Sequence, residues 1–127
     1  MTVLLDTHTL IWWWEASPRL SKQASGILVD KRNSLLVSAA TAWELAIKAN
    51  LGKISSLDLV TELSARVEQD GFTELPVNIA QAVRAGLLPR HHRDPFDRLL
   101  VAQAQDLNVP ILSADAMLDR YDIKRLW

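Results

Sequence analysis

Asp6, Glu44, Asp97 and Asp115 are far apart along the chain, yet each stands where an apolar run ends or a helix begins. Asp6 closes Thr2-Val3-Leu4-Leu5, and Asp115 follows Ile111-Leu112-Ser113-Ala114. Glu44 and Asp97 fall near the starts of two predicted helices. A parallel α/β fold would gather the four at one edge, where their charges repel. At roughly 6 Å and an effective dielectric of about 20, each ionised pair costs on the order of 3 kcal/mol. A divalent cation removes that cost, and hard oxygen donors suit Mg²⁺ or Mn²⁺. The pattern reads as a site for one or two such ions. Asp6, Asp97 and Asp115 are the expected ligands, directly or through water, and Glu44 either binds metal or orients a water. Such clusters suit metal-assisted phosphodiester hydrolysis, in which the ion polarises a phosphoryl oxygen and acidifies a water. The hydroxyls of Thr7 and Ser113 can brace the carboxylates, or serve as ordinary caps.

Beside the third acid runs Arg90-His91-His92-Arg93-Asp94-Pro95-Phe96-Asp97-Arg98. Arginine binds phosphate through a planar fork, so Arg90, Arg93 and Arg98 are candidate contacts to an RNA backbone held outside the metals. A solvated basic loop is the plainer reading. The oxygen donors already suffice, so neither histidine is needed as a ligand, and His8 reads as a packing or surface residue. Trp12-Trp13-Trp14 is unusual, because consecutive helical positions point about 100° apart and cannot all face one core. At least one is expected to be exposed unless another chain covers it, and aromatic residues of this kind favour interfaces.

Several elements must position these groups. Residues 2 to 5 and Ser34 to Ser38 read as buried strands, since neither alternates polar with apolar side chains. Phe72 to Leu75, Pro110 to Ser113 and Ile123 to Leu126 are weaker strands. Helices are expected over 21–31, 40–50, 58–70, 77–87 and 95–108. The second of these stops at Leu51-Gly52 and the third at Gly71, both fitting C-caps. Alternating strands and helices predict an α/β fold with a mainly parallel sheet covered on both faces. In such folds ligand sites gather at the carboxyl edge of the sheet. All four acids land there.

The bulk composition agrees. A chain of 127 residues, 49% apolar and 23% charged, suits one folded domain over 1–127 with a sizeable core. A net charge of −1 argues against wholesale coating of nucleic acid, although fourteen Lys and Arg leave room for a basic patch. The absence of cysteine excludes disulfides, thiolate metal sites and a cysteine nucleophile. The first residues lack a basic leader, and the longest apolar stretch, Leu10 to Trp14, is far short of the ~20 residues of a membrane span. The expected location is cytoplasmic.

Each acid also has a structural explanation. Asp6 and Asp115 can be N-caps; Thr41-x-x-Glu44 fits a capping box, with Glu44–Lys48 an i,i+4 pair; and Asp94-Pro95-Phe96-Asp97 is a well-formed helix start. Capping alone does not require four acids on one edge among apolar neighbours such as Leu5, Trp43 and Phe96. A haloacid-dehalogenase-like phosphatase would want a second Asp two residues after Asp6, where His8 stands. A phospho-receiver module would want paired acids early and a late lysine, where Asp115 stands. A catalytically inactive RNA- or protein-binding module on the same fold is the remaining alternative.

With these residues assembled, the chain resembles a PIN domain, and more narrowly the VapC toxins of bacterial toxin–antitoxin pairs. The matching segments are Leu4 through Trp12, Val37-Ser38 through Lys48, His92 through Ala104, and Ile111 through Asp115. They span nearly the whole chain, and the four in this order are specific where any one alone would be weak. The resemblance implies a three-layer α/β/α sandwich, Mg²⁺ or Mn²⁺ as cofactor, endoribonuclease activity, a homodimer and inhibition by a cognate antitoxin. Asp6, Glu44, Asp97 and Asp115 match the family's acidic quartet one for one; Asp94 and Asp119 are extra acids nearby.

Overall fold

The structure, a computed structural model, describes residues 1–53 and 57–127. Its centre is β1 (Thr2–Leu5), flanked by β2 (Ser34–Ser38) on one side and β4 (Ile111–Leu112) on the other. The outer strands are β3 (Thr73–Leu75) beside β2 and β5 (Arg125–Leu126) beside β4. All pairings are parallel, with Leu4 opposite both Leu36 and Ile111 and Leu5 opposite Leu112. The three later strands are shorter than the sequence pattern suggests. Their ladders extend only a residue or so further, through bonds such as Ile111 N–H to Lys124 O at 2.9 Å and Ser113 N–H to Leu126 O at 3.1 Å.

Side chains alternate across a strand, and here both faces are covered. Val3, Leu5, Leu35, Val37 and Leu112 face one core. There they meet Leu10 of α1 (Thr7–Trp14), Ala24, Ile27 and Leu28 of α2 (Lys22–Val29), and Val67 of α5 (Leu63–Gln69). Leu4, Leu36 and Ile111 face the other. They pack against Ala40 of α3 (Ala39–Asn50) and Leu100, Val101 and Ala104 of α7 (Pro95–Leu107). The result is a three-layer α/β/α sandwich, and it explains why the strands lack polar alternation.

Two helical expectations need correction. The predicted 58–70 helix is two pieces, α4 (Leu57–Thr61) and α5, parted at Glu62. The Thr61 hydroxyl donates to Asp58 O at 3.2 Å, a local bond that competes with the helical ladder. Gly71, at φ +73°, then ends α5 in the left-handed region that glycine adopts at least cost. The Thr41–Glu44 capping box does not form. Ser38 caps α3 by accepting from Ala40 N–H at 3.0 Å, which places Thr41 and Glu44 inside the helix with their side chains buried.

The three tryptophans also differ from expectation, since none is exposed. Trp13 and Trp14 pack on the first core, and Trp14 Nε1–H donates to Asp70 at 2.7 Å under the Arg66 guanidinium. Trp12 lies between His8, Arg19 and Trp127. The exposed tryptophan is Trp43, at 61%. The short α1 ends at Trp14, and Arg19, Arg66 and Trp127 supply the cover that a regular helix could not. No helix among the described residues is long and apolar enough to cross a membrane.

Candidate functional site

The strand order β3-β2-β1-β4-β5 means that the chain builds outward on one side of β1 and then returns to the other. In open α/β sheets the ligand crevice lies where that reversal occurs, here between the carboxyl ends of β1 and β4. Asp6 leaves β1 and Ser113 leaves β4 at this point. The Ser113 hydroxyl donates to Asp6 Oδ2 at 2.7 Å, and Thr7 N–H donates to Asp6 Oδ1 at 2.8 Å. Asp6 is therefore the N-cap of α1, but each of its oxygens accepts one bond and keeps a lone pair in reserve. Thr7 faces α3, where its hydroxyl donates to Glu44 Oε1 at 2.9 Å and lies 3.0 Å from the Thr41 hydroxyl. Lys48, one turn on, donates to Glu44 Oε2 at 2.7 Å. Asp6, Thr7, Glu44 and Ser113 are all buried.

Asp97 and Asp115 close the crevice from opposite elements. Asp94 caps α7 by accepting from Phe96 N–H at 2.9 Å, with Pro95 at the first helical position, and this sets Asp97 one turn in at the carboxyl edge. Asp115 caps the short 3₁₀ segment Ala116–Arg120 through Oδ1, which accepts from Met117 N–H at 3.0 Å. Its own N–H donates to Ser113 at 3.0 Å. The second oxygen of Asp115 turns inward, 2.7 Å from His92 Nε2, and Asp97 Oδ2 lies 3.1 Å from the same nitrogen. Donor atoms of His92, Asp97 and Asp115 all fall within 4.8 Å of one another. Asp6 and Glu44 stand outside that group and act on it through their charge.

The electrostatics follow from this crowding. Burial, then Asp6, Asp94 and Glu44, push the Asp97 carboxyl up to about 8 from its ordinary 3.8. Burial likewise raises the Asp6 carboxyl, against the lowering effect of its Ser113 bond. Among the described residues, no Lys or Arg lies within ion-pair distance of Asp97 or Asp115. A divalent cation fits this donor set. Around an octahedral ion with bonds of about 2.1 Å, adjacent ligands are about 3 Å apart and opposite ones about 4 Å. The donor atoms of His92, Asp97 and Asp115 lie within 4.8 Å of one another, and two of the three are carboxylate oxygens.

The remaining sequence candidates divide. Arg90 and Arg93 are exposed and form no ion pair among the described residues. Arg98 is half-buried, and its Nη1 donates to the carbonyls of His92 and Arg93 at 3.0 and 3.1 Å, so it fastens the loop rather than extending from it. Asp119 lies outside the crevice, forked by Arg125 at 2.8 and 3.0 Å. Sequence reasoning set His92 aside as an unneeded ligand and gave Tyr121 no role. His92 sits two residues before the Asp94 cap, a spacing that could have placed it near Asp97. Tyr121 has no local signal: its hydroxyl donates to Pro89 O at 2.6 Å and accepts from His92 N–H at 2.8 Å across 29 residues of chain.

Residues 3–124 match the family profile described as PIN domain. Ribonuclease VapC22 of Mycobacterium tuberculosis (strain ATCC 25618 / H37Rv) is 31% identical over 121 residues, covering 92% of this chain and 89% of that protein. Two solved structures share the fold at lower identity. VapBC2 of Rickettsia felis, bound to a DNA fragment from its promoter, has a TM-score of 0.68 at 12% identity, covering 99% of this chain and 98% of that one. VapBC-5 of Mycobacterium tuberculosis, a member of the VapBC family of toxin–antitoxin systems, has a TM-score of 0.60 at 17% identity, covering 98% of each chain.

Proposed function

This chain belongs to the PIN domain family, and from that premise we propose that residues 1–127 form one PIN domain acting as a metal-dependent endoribonuclease, the toxin of a toxin–antitoxin pair in the cytoplasm. The observation that carries this reading is the meeting of Asp97 and Asp115 at one point, with Asp6 and Glu44 around it and, among the described residues, no lysine or arginine to neutralise the pair. In this reading Asp6, Asp97 and Asp115 hold one or two Mg²⁺ or Mn²⁺ ions. When bound, the ion supplies Lewis-acid charge at the phosphodiester and acidifies a water.

The chain's own residues do the positioning. Ser113 and the Thr7 N–H fix both oxygens of Asp6 and leave each a lone pair for a cation. Glu44 is held at both ends, by Thr7 and Lys48, and is the group we assign to orienting the attacking water or to a further metal position. Asp97 retains a proton up to about pH 8 without metal, so loading the site releases that proton. The exposed Arg90 and Arg93 are the assigned phosphate contacts. Arg98 contributes by holding their loop, with its remaining donors available to RNA.

Two protein partners belong to the proposal. A cognate antitoxin is supported by the VapBC-5 neighbour, described as a member of the VapBC family of toxin–antitoxin systems. A homodimer is supported by α6 (Ile79–Leu87), whose Ile79, Val83 and Leu87 are exposed at 83%, 55% and 81% in one i,i+4 stripe, with exposed Trp43 on the neighbouring α3. The function is tested by incubating purified protein with total cellular RNA, with and without Mn²⁺, and mapping the ends. The wild type should cut only with metal. Asp97→Asn should fold and fail to cut, whereas cleavage by a clean preparation of that variant removes Asp97 from the mechanism.

A further inference from the structure

The heavy atoms of His92, Asp97 and Asp115 look like a three-donor metal site, but the other ring nitrogen of His92 argues for a different role. Asp94 N–H donates to His92 Nδ1 at 3.2 Å. In the neutral ring that acceptor has no proton, so the proton is on Nε2, the nitrogen facing the two carboxylates. A histidine that binds a cation through Nε2 needs its proton on Nδ1 and an acceptor beyond it. Here Nδ1 meets a donor instead. The loop is fixed around this arrangement by Tyr121, which accepts from His92 N–H at 2.8 Å, and by Arg98, which takes the His92 carbonyl at 3.0 Å.

We propose that His92 is a placeholder: it puts an N–H into the position that the cation takes, bridges Asp97 and Asp115 in the metal-free protein, and leaves when the metal enters. The inference rests on the metal-dependent reading above. With Nε2 at 2.7 Å from Asp115 Oδ2 and 3.1 Å from Asp97 Oδ2, the ring N–H is hydrogen-bonded to Asp115 with Asp97 alongside, and it fills the space between the two carboxyl groups that a Mg²⁺ or Mn²⁺ ion would need. Proton and cation exclude each other there. Holding the ring in place keeps Asp97 and Asp115 together before the ion arrives, and weakens metal binding by the strength of the bonds that must break.

The test compares Mn²⁺ affinity, read from the free-ion spin-resonance signal, in wild type, His92→Ala and His92→Gln. Losing a hydrogen bond to a charged group should tighten Mn²⁺ binding to His92→Ala by about tenfold. His92→Gln, whose amide can reach the same oxygens as a donor, should stay closer to wild type. A second readout needs no variant. In wild type the ring ¹⁵N spectrum should show the Nε2–H form without metal and a released ring with Mg²⁺, and Mn²⁺ spin echoes should show no directly bound ¹⁴N. Weaker binding by His92→Ala together with a bound ¹⁴N would make His92 a ligand and overturn the proposal, as would equal affinity in all three proteins. If wild type and both variants all fail to bind Mn²⁺, the metal-dependent reading itself falls, a result distinct from either.

Discussion

A carboxyl group that is desolvated and faces other acids keeps its proton past neutrality, and Asp97 does so up to about 8, with Asp6, Asp94 and Glu44 adding to the effect of burial. Its ordinary value is 3.8, so between those limits the folded chain binds a proton that the unfolded chain has released. The stability this provides is complete below about pH 4 and is lost as pH rises through about 8. Metal-free protein should therefore melt at progressively lower temperature from pH 5 to pH 8. Asp97→Asn, which has no charge to suppress, should flatten that slope and be the more stable protein near pH 8. Parallel slopes for the two proteins in metal-free thermal melts would remove Asp97 as the source. The identity of these acids was legible in the sequence because each follows a strand or opens a helix. His92 was not, because its role depends on Asp94 N–H turning the ring, and backbone donors leave no trace in composition.

At the scale of elements, α7 does two jobs. Its first turn delivers Asp97, and its third delivers Gln103, fully buried on a face otherwise made of Leu100 and Ala104. Gln103 accepts from the Ser38 hydroxyl at 2.5 Å and donates to Pro76 O and to Gln81 Oε1, both at 3.1 Å. One amide thus ties the cap of α3, the end of β3 and α6 to the helix that carries an acid. Gln103→Leu preserves volume but strands those partners, and each buried polar group left unpaired costs about 1–3 kcal/mol. Urea unfolding should show a loss of that order or more; a loss below about 0.5 kcal/mol, the range of an ordinary surface substitution, would mean that the network relaxes onto other partners. The helix expected over 95–108 is found as Pro95–Leu107. The split at Glu62 and the 3₁₀ segment Ala116–Arg120 were not legible, since both depend on single local bonds rather than on periodicity.

For the whole molecule, the order of strands matters more than any one of them. Placing β1 between β2 and β4 puts Asp6 beside Ser113 and Asp115, residues more than a hundred positions away. The fold class and the shared edge could be read from alternating apolar runs, because a sheet covered on both faces leaves that mark. The surface was harder. Trp12-Trp13-Trp14 suggested an interface by their number, yet Arg19, Arg66, Asp70 and Trp127 account for them within the chain. The stripe on α6 is the better candidate, so Val83→Glu or Leu87→Glu should shift sedimentation toward monomer while Trp12→Phe leaves it unchanged. A wild type that sediments as monomer at micromolar concentration would return that stripe to ordinary surface. Whether acids from distant segments share one ion is tested directly by a calorimetric scan with Mn²⁺. Wild type should gain about 2.7 kcal/mol at a hundredfold excess over the dissociation constant, and Asp97→Asn and Asp115→Asn should gain far less. Equal stabilisation of all three proteins, or none in the wild type, would contradict a shared ion.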